Sequence, residues 1–187
     1  MTKTFYLIVA SAFLLAGCQE MQNAETPNVV VVGGEDFPPS LAGRWVSDRA
    51  GWQIVFDARG GITSVVLGLG QVEIVPGVKA TVPTRGGGEG TFEPGPWTVD
   101  YEAETSRLTV KIVMDHIHIE MGSHVLDGKS GDVFSGPISA TDGLWQTQWT
   151  AFTDYQVRTP DGESVTVATD PIYGETQPLT FRKSQPQ

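Results

Sequence analysis

The chain has 187 residues, 40% of them hydrophobic, and sets 22 acidic side chains against 12 Lys and Arg for a formal net charge of −10. That balance repels phosphate backbones and the basic residues do not cluster, which argues against nucleic acid as a partner. With a single cysteine the chain has no internal disulfide and no multi-thiolate metal site, so an exported domain of this sequence must be held by its apolar core alone.

At the N-terminus Lys3 precedes an apolar run over residues 5–15, which has signal-peptide length and is too short for a permanent bilayer-spanning helix. Leu15-Ala16-Gly17-Cys18 follows, and it resembles the lipobox of bacterial lipoproteins. The resemblance implies that the Cys18 thiol receives a diacylglycerol, that residues 1–17 are removed, and that the new N-terminus is acylated. Two or more acyl chains hold a protein stably at a membrane, so Cys18 is expected to be a tether and the membrane a partner. Gln19 stands where Gram-negative sorting patterns place Asp for inner-membrane retention, so the resemblance points to a lipid-anchored envelope protein, outer membrane over inner. The residues alone also allow an ordinary secretory signal cut near Ala16-Gly17.

Residues 18–40 read as a lipidated N-terminus and flexible tether, broken by Pro27, Gly33-Gly34 and Pro38-Pro39. Within them Val29-Val30-Val31-Val32 fits either a first strand along the body or an extended piece of linker. From residue 41 to 183 the text is strand grammar in a single domain, and residues 184–187 form a polar tail. Trp52, Ile54 and Phe56 share one face, and the turn over residues 57–61 leads to a partner strand over 62–67. Short strands follow at 71–75 and 78–82, and residues 85–90, rich in glycine, read as a mobile connection. Trp97, Val99 and Tyr101 alternate with polar residues, as do Leu108, Val110 and Ile112. Residues 127–132 read as a turn, and Gly136-Pro137 as a bulge or edge. Residues 144–157 read as one long strand with Trp145, Trp149, Ala151 and Tyr155 on one face, implying a strongly twisted sheet. Thr159-Pro160-Asp161-Gly162 is a turn, and two strands around Val165 and Leu179 end the domain.

No window after the signal shows helical periodicity, so the expected fold is all-β, an antiparallel meander of about 8–10 strands forming a closed or nearly closed barrel. Gly43-Arg44-Trp45 resembles the Gly-x-Trp that opens the first strand of lipocalins and their calycin relatives, where the tryptophan plugs one end of the barrel. Thr153-Asp154-Tyr155 has the letters of a second lipocalin motif. Val133-Phe134-Ser135-Gly136, Trp149 and Thr180-Phe181-Arg182 are similar to the end of an avidin-type barrel. These resemblances imply a lipocalin-like domain over residues 41–183 and name no ligand.

Two constellations carry chemistry. On a strand, His116, His118 and Glu120 would share a face, with imidazoles close enough to share zinc or copper. The same letters suit a half-buried strand with Ile117, Ile119 and Met121 inside and the histidines on the solvent side. Because Leu108, Val110 and Ile112 have the opposite parity, a bulge near Asp115 is then required. The second constellation is aromatic: Trp45, Trp52, Trp97, Trp145 and Trp149 with Tyr101 and Tyr155 either line a pocket for a small apolar ligand or fill the barrel, and Trp97, Tyr101, Trp145, Trp149 and Tyr155 are the ligand-binding candidates. No Gly-x-Ser-x-Gly, His-Glu-x-x-His or Cys/His arrangement supports catalysis, and nothing calls for a cofactor. The expected function is therefore non-catalytic: binding of a small apolar or amphiphilic ligand at the membrane, with a structural or protein-interaction role and metal binding as the alternatives.

Overall fold

The structure, a computed structural model, describes residues 28–68, 72–85, 87–168 and 174–184. Cys18, the signal segment and the last three residues of the tail lie outside the described residues. Thirteen strands form one sheet: β1 (Val29–Val32), β2 (Gly43–Ser47), β3 (Gln53–Phe56), β4 (Ile62–Val66), β5 (Glu73–Ile74), β6 (Ala80–Pro83), β7 (Glu89–Pro94), β8 (Trp97–Glu102), β9 (Arg107–Met121), β10 (His124–Ser139), β11 (Leu144–Arg158), β12 (Ser164–Ala168) and β13 (Glu175–Lys183). A single 3-10 turn spans Pro39–Leu41, and the described residues contain no α-helix. Among the described residues no helix is long and apolar enough to cross a membrane.

The all-β expectation holds, but the barrel does not close. Ten strands run in the order β1-β8-β9-β10-β11-β13-β2-β3-β4-β5 and curl into a half-barrel. The sheet is mixed, because β1 pairs with β8 in parallel, from Val29 opposite Trp97 to Val32 opposite Asp100. At the other end β5 has only two residues, and among the described residues no ladder joins it to β1. Val29–Val32 is thus a strand on the body. Farther along the segment read as tether, Phe37 packs between Phe56 and Tyr101, with ring centroids 5.9 and 5.7 Å away. Trp45 Nε1 donates to the Leu41 carbonyl at 2.8 Å. Side-chain packing by residues 37–41 therefore bridges the lower ends of β3 and β8, which no backbone ladder joins.

The three long strands β9, β10 and β11 carry the architecture. One half of β9 pairs with β8 and the other with β7; one half of β11 pairs with β13 and the other with β12. The required bulge lies at Asp115. Pro94 faces Met114 while Glu93 faces His116, and on the opposite side Asp115 and His116 together span the single residue Lys129. The inner face of β9 accordingly passes from Leu108, Val110, Ile112 and Met114 to Ile117, reversing parity across the bulge. Gly95 makes room for it, since a Cβ there would meet the Asp115 carboxylate.

Other expectations are corrected by the ladders. Residues 127–132 are no turn: they lie within β10, paired on both sides. The chain reverses instead at Gly122-Ser123, where Gly122 takes a φ of +63° as the first residue of a two-residue hairpin. Gly136 and Pro137 sit inside β10 with no register shift toward β11. Glu89 and Gly90 belong to β7, a strand whose one large apolar side chain, Phe92, leaves no twofold pattern to read.

Candidate functional site

Inner-face residues of β10 and β11 change in size along the strands. Toward one end Phe134, Ile138 and Trp145 fill the interior with Phe181, and Phe134 lies edge-on to that ring at 5.4 Å. Toward the other end the same face presents Gly128, Ser130 and Asp132 on β10 opposite Tyr155, Thr153 and Ala151 on β11. Small side chains leave space on a curled sheet. A cleft of about 380 Å³ opens there, walled by Trp52, Leu67, Phe92, Ile117, Trp149 and Tyr155.

Asp132 sits in this cleft between Ile112 on β9 and Ala151 on β11, and is only 8% exposed. Trp149 Nε1 donates to its Oδ1 at 2.8 Å. Burial pushes its carboxyl up to about 6, against the opposing pull of the Trp149 hydrogen bond. Burial likewise raises the Tyr155 hydroxyl; a hydrogen bond with Ser130 lowers it and the charge of Asp132 raises it further. Trp52 closes the aromatic side, 5.1 Å from Phe134 and 6.2 Å from Trp149 between ring centroids. The result is an apolar, aromatic cleft with one carboxylate set among its walls.

The five aromatic candidates divide. Trp149 and Tyr155 line the cleft, whereas Trp97, Tyr101 and Trp145 fill the core. Trp97 Nε1 donates to the Val113 carbonyl at 2.9 Å, and Trp145 stacks on Phe181 at 4.9 Å. The indole N–H of Trp145 has no hydrogen-bond partner among the described residues. Trp52, one of the tryptophans of the aromatic set, also lines the cleft, as do Asp132, Ser130, Leu67 and Phe92, which were not singled out from sequence. Stepping back by twos from Phe134 reaches Asp132, Ser130 and Gly128, and that is the signal the turn reading concealed.

His116 and His118 lie on the outer face, away from the cleft, because the bulge turns them there. Both imidazoles converge on Asp127 Oδ1, His118 Nδ1 at 2.9 Å and His116 Nε2 at 3.3 Å. Glu120 Oε1 is 3.9 Å from His118 Nε2, and Glu93 Oε1 is 4.0 Å from His116 Nδ1. Lys79 already engages that Glu93 oxygen at 2.8 Å. Hydrogen bonding from His118 holds the Asp127 carboxyl below its ordinary range, with His116 adding to the effect against burial. Among the described residues, no group of three or more His, Cys, Asp or Glu side chains is arranged to hold a metal ion. A wider groove of about 670 Å³ crosses the outer face over Gly131, beside Lys111, Val113, Val133 and Phe152. Among the described residues its one carboxylate, Asp154, is exposed.

No family model, curated protein or solved structure matches this chain.

Proposed function

We propose that this chain is a lipid-anchored lipoprotein of the bacterial cell envelope that binds, without catalysis, a small apolar or amphiphilic ligand in the inner-face cleft. The observation that carries the reading is the cleft itself: about 380 Å³ of space with aromatic and aliphatic walls and few polar groups, near the lower end of the ~300–1,000 Å³ typical of small-molecule sites. The curled all-β sheet supports lipocalin-like use of its concave face, and so does Trp45 of the Gly43-Arg44-Trp45 opening, fully buried and hydrogen-bonded to the Leu41 carbonyl. Leu15-Ala16-Gly17-Cys18 supports the anchor.

The test is native mass spectrometry of the chain purified as its own host makes it, compared before and after denaturation, followed by titration with octanol read by tryptophan fluorescence. The expected result is a small molecule released on denaturation, or saturable quenching or enhancement as octanol reaches Trp52 and Trp149. An empty chain whose fluorescence octanol leaves unchanged would overturn the binding reading.

A further inference from the structure

The polar group inside the cleft specifies more than an apolar occupant. A ligand that only needed hydrophobic burial would be served by a wall of Leu, Val and Phe, and placing an acid there works against it. Removing a carboxylate from water is costly unless a partner compensates it. Here compensation within the protein is meagre: Trp149 Nε1 supplies one neutral hydrogen bond to Oδ1, and no Lys, Arg or His lines the cleft among the described residues. Among the described residues Asp132 is the one cleft side chain that is negative at neutral pH, since its neighbours Ser130, Thr153 and Tyr155 are neutral there. The rings around it are also suited to a cation. Trp52 and Trp149 stand nearly perpendicular at 71°, and an ammonium over either face gains from the ring quadrupole. The negative charge of the whole chain favours the same class of visitor.

We infer that the cleft binds amphiphiles whose head is a simple protonated amine, the ammonium paired with Asp132 and the hydrocarbon body lying against Trp52, Phe92 and Ile117. This rests on the proposed ligand-binding reading and narrows it to a chemical class. An acid-headed amphiphile would place like charges side by side. A phosphoethanolamine lipid would carry its phosphate into the same repulsion, so the class is a free amine and not that lipid headgroup.

Octylamine, octanol, octanoate and dihexanoyl-phosphatidylethanolamine are titrated into the full chain and into its Asp132→Asn variant, with tryptophan fluorescence as the readout. In the unsubstituted chain octylamine should bind about ten-fold or more tightly than octanol, and octanoate and the lipid more weakly than either. In Asp132→Asn the amine preference should vanish while octanol keeps its affinity. Equal binding of octylamine and octanol by the unsubstituted chain would overturn the amine inference and leave the ligand-binding reading standing, as would tighter binding of the lipid or octanoate. Loss of the amine preference together with octanol binding in Asp132→Asn would show a damaged cleft; the unsubstituted chain must then lose its amine preference once the Asp132 carboxyl is protonated at about pH 4 while octanol still binds, or the inference fails. If none of the four probes binds the unsubstituted chain, the ligand-binding reading itself falls.

Discussion

At the scale of single residues, Asp132 links the cleft to stability. Folding raises its pKa from the ordinary 3.8 to about 6, so the folded chain holds this proton more tightly than the unfolded one. The stability it contributes is greatest below about pH 4 and is lost as pH rises through about 6, because ionisation then has to occur in the buried site. The gap between the two values corresponds to roughly 3 kcal/mol. Asp132→Asn should therefore be more stable than the unsubstituted chain at pH 7.5, by roughly 2–3 kcal/mol, and the advantage should shrink to nearly nothing at about pH 4. Urea unfolding at the two pH values checks this; a difference independent of pH would contradict a buried ionised carboxylate. Sequence inspection undervalued this residue for a physical reason. Asp-Gly and Ser-Gly pairs favour turns locally, yet ladders on both sides of β10 satisfy the backbone of residues 127–132 and override that preference.

At the scale of elements, the bulge in β9 sorts one strand into two faces of opposite parity. Its position was legible, since only an extra residue near Asp115 reconciles Leu108, Val110 and Ile112 with Ile117 and Ile119. Deleting Asp115 removes the extra residue and drives Ile117 and Ile119 to the outside and His116 and His118 inward. The expected outcome is a clear fall in the thermal midpoint, with fast amide exchange over residues 116–121 and in β7; unchanged exchange there would show that the strand tolerates the slip. The packing of Phe37 makes a second prediction. Phe37 is 3% exposed and touches both Phe56 and Tyr101, so Phe37→Ala should destabilise the chain by about 3–5 kcal/mol in denaturant unfolding, whereas an ordinary linker position would cost under about 0.5 kcal/mol.

At the scale of the whole molecule, the open sheet separates a rigid part from a loose one. β9 and β10 are paired along both sides, whereas every residue of β12 is exposed, including Val165 at 53% and Val167 at 48%. Hydrogen exchange should be slowest in the centres of β9 and β10 and fast throughout β12. Protection of β12 amides equal to that of β10 would indicate a further partner strand on this edge. The proposed anchor is tested on the whole molecule as well. Cys18→Ser should move the chain from the membrane fraction to the soluble or signal-retaining fraction without altering the far-ultraviolet spectrum of the domain, and continued acylation of the variant would disprove the tether.

The sequence by itself determined the all-β class, most of the strands and the long twofold pattern of β11, and placed the bulge for one of the two readings of residues 116–121, because each of these follows from side-chain alternation along a single strand. The proposed address rests on residues 3–19, read from Lys3 and the apolar run through Cys18 to Gln19, and is equally local. Tertiary structure alone decided what depends on neighbours far along the chain: the parallel place of β1 beside β8, the failure of β5 to meet it, and the half-barrel that results. It also separated Trp149 and Tyr155 from Trp97, Tyr101 and Trp145. All five belong to inward faces, and only the small residues set across from them by pairing register decide which stand beside open space. Asp132 belongs to that second group, since its burial comes from β9 and β11 closing on either side of it.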